Sequence, residues 1–126
     1  MTGPDQGILI IEDEIPVSRA ISAKLKLVGL NPLAVSSGIQ AVEILKKDKF
    51  GLIVLDLMLP DIDGFAILEK MRELKIETPV LVVSALSQPE DKKRALELGA
   101  KDYFYKGDIS LSDLADKVKY LMTNKN

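Results

Sequence analysis

The segment LIVLDLMLP, residues 52–60, is the clearest indication of the fold class. Its first four residues form an apolar, β-branched-rich run that is too short for a helix and is typical of a strand buried on both faces of a parallel sheet. Two more runs have this character: ILII at residues 8–11 and VLVV at residues 80–83. Weaker strand candidates lie at residues 32–35 and 102–105. The sequence therefore predicts five strands.

Helical patterns separate the predicted strands. Apolar residues recur with a period near 3.6 over residues 17–28 and 111–122, and a further helix is predicted over residues 65–74. The tetrapeptides SGIQ (residues 37–40) and SQPE (residues 87–90) each fit a capping box at the start of a helix. The order is strand then helix, five times, which predicts an α/β fold built on a parallel sheet.

The composition limits the kinds of chemistry that the protein can carry out. The chain has 126 residues, the size of one compact domain, and its formal net charge of −2 gives no sign of a nucleic-acid binder. It contains no cysteine and no histidine, which excludes disulfides, thiolate chemistry, His-ligated zinc and Ser-His-Asp triads. Any chemistry must therefore use carboxylates, hydroxyls, lysines or a hard metal.

The predicted organisation is a single domain over residues 7–123, with a flexible lead at residues 1–6 and a tail at residues 124–126. The first residues lack the basic and apolar layout of a signal peptide, and no stretch approaches the ~20 apolar residues of a membrane span. We therefore expect a cytoplasmic protein, and the absence of cysteine is compatible with that compartment.

Polar residues interrupt the apolar runs where the predicted strands end. Glu12 and Asp13 follow the first strand, Asp56 the third, Ser84 the fourth and Lys106 the fifth. Ligands of open α/β sheets bind at the carboxyl ends of the strands, so these side chains are expected to converge. Taken singly, Ser84 can begin a loop, Lys106 can be solvated, and the two acids can cap the next helix.

Asp56 is harder to explain as a structural residue. It directly follows four apolar residues and precedes three more, residues 57–59. A carboxylate set in such a run is costly to leave unpaired. Several neighbouring acids also repel one another, so a cation is implied.

With these motifs the sequence resembles the receiver domains of bacterial two-component response regulators. The matching segments are Glu12-Asp13, DLMLPDIDG at residues 56–64, residues 79–85, and GAKDYFYK at residues 99–106. The resemblance extends from Gly7 to Met122, and residues 7–123 are on this basis expected to form one receiver domain. It implies a doubly wound, five-stranded sheet of strand order 2-1-3-4-5, the flavodoxin-like (βα)5 fold.

The resemblance implies that Asp56 accepts a phosphoryl group from the phosphohistidine of a partner kinase. An Asp carboxylate can form an acyl phosphate, and the transfer needs mainly in-line positioning and charge neutralisation. It also implies a Mg²⁺ site, with Mn²⁺ as an alternative, formed by Asp13, Asp56 and the backbone carbonyl of Met58. Glu12 is expected to bind the metal directly or through water, although many relatives have Asp at this position.

Further roles follow from the same resemblance. Lys106 is expected to pair with the phosphoryl oxygens, Ser84 to donate a hydrogen bond to them, and Tyr103 to be the aromatic residue whose rotamer reports activation. Met58 and Leu86 occupy the two positions that tune dephosphorylation in the family. Both side chains are apolar and cannot orient an attacking water, so we hypothesise a phosphoryl group that lives longer than in fast chemotaxis receivers.

One residue departs from the family pattern. Most relatives follow the lysine with proline, often in a cis peptide bond, whereas Gly107 follows Lys106 here. A cis bond without proline costs roughly 2.5–4 kcal/mol, which favours a trans bond and a more mobile loop.

The resemblance also implies partners. A histidine kinase or phosphotransfer protein would supply the phosphoryl group. An output domain or protein would then read the face of the fourth helix, fifth strand and fifth helix, where phosphorylation shifts a two-state equilibrium. Homodimerisation on phosphorylation is compatible with this, and direct nucleic-acid or membrane binding is not expected. The chain is expected to assist its own phosphorylation and dephosphorylation and not to be an enzyme acting on other substrates.

Other interpretations remain. A degenerate receiver would bind partners without phosphorylation, although every key position is filled. An aspartate-nucleophile phosphatase needs a second acid where Met58 stands, and a flavodoxin-type site needs a phosphate-cradling loop after the first strand, where this chain is acidic. The segment DIDG (residues 61–64) resembles part of a calcium-binding loop, but the further ligands and the terminal Glu of an EF-hand are absent. Asp63 is instead expected to cap the third helix.

Overall fold

In a computed structural model that describes residues 7–123, five parallel strands form one sheet in the order β2-β1-β3-β4-β5. The strands are β1 (Gly7–Ile11), β2 (Asn31–Val35), β3 (Leu52–Leu55), β4 (Val80–Ser84) and β5 (Asp102–Tyr105). The strand order expected from the resemblance is therefore confirmed. The predictions for residues 1–6 and 124–126 lie outside the described residues.

Helices alternate with these strands. They are α1 (Ile15–Leu27), α2 (Gly38–Lys47), α3 (Gly64–Glu73), α4 (Pro89–Glu97) and α5 (Leu111–Thr123), and a short 3₁₀ turn (Lys106–Asp108) follows β5. None of the helices in the described part of the chain is long and apolar enough to cross a membrane.

The core has two halves, one on each face of the sheet. Ile8 and Ile10 of β1 pack with α1 and α5, whereas Leu9 and Ile11 pack with α2, α3 and α4. Side chains alternate between the faces along a strand, so a strand covered on both faces needs apolar residues at every position. This two-sided burial is the physical reason for the continuous apolar runs in the sequence.

The helix starts agree with the capping predictions in two of three cases. The hydroxyl of Ser37 accepts a hydrogen bond from the Gln40 N–H at 3.1 Å, and Asp63 accepts one from the Ala66 N–H at 2.9 Å. The predicted capping box at residues 87–90 is wrong, because Gln88 takes the N-cap position and makes no side-chain capping bond. Pro89 occupies the first helical turn, where its fixed φ suits a helix start, and this leaves Ser87 one residue too early.

The strand register brings the carboxyl ends of the strands to a common edge. Ile11 at the end of β1 pairs with both Val35 and Leu55, and Ser84 at the end of β4 pairs with Tyr105. The residues that follow β1, β3, β4 and β5 therefore emerge side by side, at the edge where ligands of doubly wound sheets bind.

Candidate functional site

Three carboxylates converge at this edge. Glu12, Asp13 and Asp56 each place one ligand oxygen within 4.8 Å of the others. Sheet-like backbone bonds hold the chain here: the Glu12 N–H donates to Val35 O at 3.0 Å, and the Asp56 N–H donates to Ile11 O at 2.9 Å. Glu12 and Asp56 are only 2% and 3% exposed, and Asp13 is half-buried. Hard oxygen donors at this spacing suit a divalent cation such as Mg²⁺. Neither Glu12 nor Asp13 caps α1, since Glu14 takes the N-cap position.

Lys106 bridges two acids of this cluster and a third acid beside it. Its Nζ is 2.8 Å from Glu12 Oε1, 2.8 Å from Glu14 Oε1 and 3.2 Å from Asp56 Oδ2. The sequence had suggested Lys106, Glu12 and Asp56 but not Glu14. The only indication of Glu14 in the sequence was that it continues the acidic run after β1. The sequence does not show which acids of that run reach the lysine.

Burial and neighbouring charges have opposite effects on the pKa values in this cluster. Burial disfavours the charged form of Lys106, but its hydrogen bonds with Glu12 and Glu14 and the charge of Asp56 raise its pKa above the usual range. Burial also raises the pKa of Glu12, and the hydrogen bond from Lys106 partly offsets this effect. The ammonium is the positive charge that offsets the repulsion between these buried carboxylates.

Asp56 begins a tightly built loop between β3 and α3. Its Oδ1 accepts a hydrogen bond from the Met58 N–H at 3.0 Å, and the Gly64 N–H closes the loop on Leu57 O at 2.9 Å. A Cβ on Gly64 would lie 2.6 Å from the Leu57 Cα and 2.9 Å from the Asp56 O, so only glycine fits at this position. The loop thus fixes the backbone around the central carboxylate.

The tip of the same loop is fastened to the start of α2. The carboxylate of Asp61 accepts hydrogen bonds from Ser37 Oγ at 2.6 Å and from the N–H groups of Gly38 and Ile39, both at 3.0 Å. The Ser37 and Ile39 hydrogen bonds hold the pKa of Asp61 well below its usual range. The two acids of the DIDG segment are therefore helix-capping groups.

Ser84, Leu86 and Tyr103 form a chain of hydrogen bonds beside the cluster. The fully buried Ser84 Oγ accepts from the Leu86 N–H at 3.2 Å, and the Tyr103 hydroxyl donates to the Leu86 carbonyl at 2.6 Å. Burial raises the pKa of Tyr103, and the Ser84 hydroxyl partly opposes this shift. The β4–α4 loop is thus linked at Leu86 to both residues expected to switch.

Met58 and Leu86 border an open cavity of about 510 Å³ that also touches Asp13 and Phe65. The Met58 side chain is 53% exposed. The structure therefore places both residues beside the acidic cluster, and their role in dephosphorylation stays a prediction.

The turn after Lys106 differs from the family pattern in a specific way. No peptide bond among residues 7–123 is cis, so the predicted trans bond at Gly107 is present. A Cβ on Gly107 would lie 2.5 Å from Tyr105 Cε2, because the Tyr105 ring folds back over this glycine. Gly107 thus gives the ring room, and the predicted mobility of the loop stays a prediction.

The fold and the site together define a flavodoxin-like α/β domain with a lysine-bridged acidic cluster at the carboxyl edge of its sheet. The family model described as the response regulator receiver domain matches residues 8–119. The chain belongs to this family, and it is a receiver domain of the two-component response-regulator type.

Individual proteins similar to this chain support its assignment to the family. The chain is 35% identical over 99 residues to a probable transcriptional regulator, ycf27, of Porphyridium aerugineum; this covers 79% of the chain and 41% of that protein. It is 28% identical to a Francisella response regulator receiver domain, with a TM-score of 0.91 over 96% of this chain and 99% of that one. It is also 28% identical to the BeF3-activated DrrB receiver domain, with a TM-score of 0.84 over 94% and 98% of the two chains. The chain spans about two-fifths of the length of the curated relatives it matches.

Proposed function

We propose that this receiver domain takes up a phosphoryl group on Asp56 in a Mg²⁺-dependent reaction and changes conformation in response. One observation carries the proposal: Asp56 is 3% exposed, shares a 4.8 Å cluster with Glu12 and Asp13, and lies 3.2 Å from Lys106. A buried acid that serves only the fold would not need two further acids and a lysine around it.

Each residue of the site has a task in this reaction. An oxygen of Asp56 forms the new O–P bond while the P–N bond to the donor imidazole breaks, and the leaving imidazole takes up a proton. Lys106 and Ser84 donate hydrogen bonds to the phosphoryl oxygens, and the Met58 N–H holds the Asp56 carboxylate in orientation. Glu12, Asp13, Asp56 and the Met58 carbonyl would hold Mg²⁺, which supplies charge neutralisation for the transferred group. The protein modifies itself in this scheme and turns over no external substrate.

The conformational response follows from the bonds at Leu86. When the Ser84 side chain moves to donate to the phosphoryl group, its Oγ shifts away from the Leu86 N–H that it now accepts at 3.2 Å. Leu86 also accepts the Tyr103 hydroxyl at 2.6 Å, so a shift of this loop is transmitted to a buried side chain of β5. The result is a two-state change of the α4–β5–α5 face.

The partners in this proposal are a histidine kinase or phosphotransfer protein as donor and an output domain or protein at the α4–β5–α5 face. Transcription is one candidate output, because a relative carries that description over a longer chain. A cytoplasmic location is part of the same proposal, since the donor and the output would both act there.

Intact-mass measurement after incubation with a small phosphodonor and Mg²⁺ tests the proposal. We expect the mass of one phosphoryl group to be added to the wild-type chain and to be lost in Asp56→Asn and after chelation of the metal. Absence of an adduct on the folded wild-type chain would favour a receiver that works without phosphorylation. Steady hydrolysis of external phosphoesters would instead indicate an enzyme.

A further inference from the structure

The ammonium of Lys106 is surrounded by carboxylate partners before any phosphoryl group is bound. A lysine ammonium has three N–H donors, and three carboxylates lie within 3.2 Å of this one. On the function proposed above, Lys106 must also donate to a phosphoryl group on Asp56. The phosphoryl group replaces Asp56 Oδ2 as one partner but presents several oxygens of its own, so it competes with Glu12 and Glu14 for the other two N–H donors.

Glu12 is not the acid that competes with the phosphoryl group for Lys106 when Mg²⁺ is bound. Its side chain is 2% exposed, its Oε1 pairs with Lys106, and its Oε2 accepts a hydrogen bond from the Glu14 N–H at 3.0 Å. On the function proposed above Glu12 would become a Mg²⁺ ligand, so the metal would replace the ammonium as the cation partner that this buried carboxylate needs.

Glu14 can leave at low cost. Its side chain is 58% exposed, so water replaces the ammonium as its partner. It occupies the N-cap position of α1, yet its carboxylate makes no capping hydrogen bond, and α1 therefore does not depend on it. Its side-chain bond in the structure is the one to Lys106.

We propose that Glu14 is a positioning residue that competes with the phosphoryl group for Lys106. In the unphosphorylated state it keeps the ammonium at the mouth of the site, and phosphorylation requires this 2.8 Å ion pair to be exchanged for bonds to the phosphoryl oxygens. The acid therefore lowers the affinity of the site for any phosphoryl-like anion on Asp56, and so favours the resting state.

Beryllium fluoride in saturating Mg²⁺ is the probe, because it binds a carboxylate as a tetrahedral phosphoryl-like anion. Titration followed by the amide resonances of Ser84 and Tyr103 gives its affinity. Exposed ion pairs are worth roughly 0.2–1 kcal/mol, so Glu14→Gln should tighten binding by up to about fivefold. Glu14→Ala, which also removes the amide, should give a gain of the same size.

A double-mutant cycle separates competition for the lysine from a general loss of negative charge. In a Lys106→Met background the competition no longer exists, so adding Glu14→Gln should leave the remaining affinity unchanged. An equal gain in both backgrounds would mean that Glu14 acts through its field alone and would overturn the proposal. Unchanged or weaker binding by Glu14→Gln, with normal binding by the wild type, overturns it as well. Absence of binding by the folded wild type would instead remove the proposed phosphoacceptor function on which it rests.

Discussion

Replacing Lys106 by methionine removes the positive charge shared by the buried carboxylates. Glu12 and Asp56 are 2% and 3% exposed and lie 2.8 and 3.2 Å from Nζ. Breaking a buried ion pair by removing one partner costs roughly 3–5 kcal/mol. Burial already raises the pKa of Glu12, so this acid can take up a proton and limit the loss. We therefore expect the lower end, about 3 kcal/mol, in the presence of a chelator.

Urea unfolding with and without Mg²⁺ measures this effect. With a slope of about 2 kcal/mol/M, the midpoint of Lys106→Met should fall by about 1.5 M in chelator. A ligand that binds only the folded state stabilises it by about 2.7 kcal/mol at 100 times its dissociation constant, and in the variant Mg²⁺ no longer competes with an ammonium for Glu12 and Asp56. The deficit should therefore shrink in Mg²⁺.

The matched control is Lys46→Met. Lys46 pairs with Glu43 at 2.9 Å, but both side chains are largely exposed, so little change in the midpoint and no dependence on Mg²⁺ are expected. A Lys106→Met midpoint equal to the wild type in chelator would show that the buried carboxylates do not depend on the lysine. A deficit that is the same with and without Mg²⁺ would show that the lysine and the metal do not share these carboxylates.

Three further predictions concern the loops around the site. Gly64→Ala would place a Cβ 2.6 Å from the Leu57 Cα, so we expect about 1–3 kcal/mol of destabilisation and weaker Mg²⁺ binding; a wild-type urea midpoint would contradict the close contact. The lowered pKa of Asp61 means that its contribution to stability is present above the unfolded value of 3.8 and is lost as the pH falls through the folded value, so Asp61→Asn should be less stable than the wild type at neutral pH and converge with it in acid. A difference between the urea midpoints of Asp61→Asn and the wild type that stays the same at every pH would contradict this expectation. Met58→Asn combined with Leu86→Glu supplies polar groups that can orient water, so the phosphoryl half-life should shorten by roughly tenfold or more. A wild-type half-life of seconds, unchanged by this pair, would remove the explanation for slow dephosphorylation.

The sequence predicted the strands best where both faces of the strand are buried. The apolar runs at residues 8–11, 52–55 and 80–83 became β1, β3 and β4 with bounds shifted by one residue at most, because a strand covered on both faces leaves an unbroken apolar run. The weaker patterns at residues 32–35 and 102–105 fell on the two edge strands, where one side of the strand is unpaired. Strand order came from the resemblance, since periodicity does not encode which strands are neighbours.

The sequence could not predict contacts between side chains that lie far apart along the chain. Lys106 reaches Glu14 across 92 positions, and Ser37 reaches Asp61 across 24. Such hydrogen bonds leave no periodic pattern, and the acidic run after β1 does not indicate which of its side chains turns toward the lysine. The capping box at residues 87–90 failed for a local reason, because the fixed φ of Pro89 sets the helix start one residue later.

Chemical mapping of the phosphoryl group shows whether Asp56 is the residue that carries it. Borohydride reduces an acyl phosphate to an alcohol, so the phosphorylated aspartate is permanently marked and can be located by peptide mass spectrometry. After incubation with a phosphodonor and Mg²⁺, we expect the reduced product at position 56 and at no other acid of the cluster. A reduced product at Asp13 or Glu12, or none in a folded chain, would contradict the assignment of Asp56 as the phosphoacceptor.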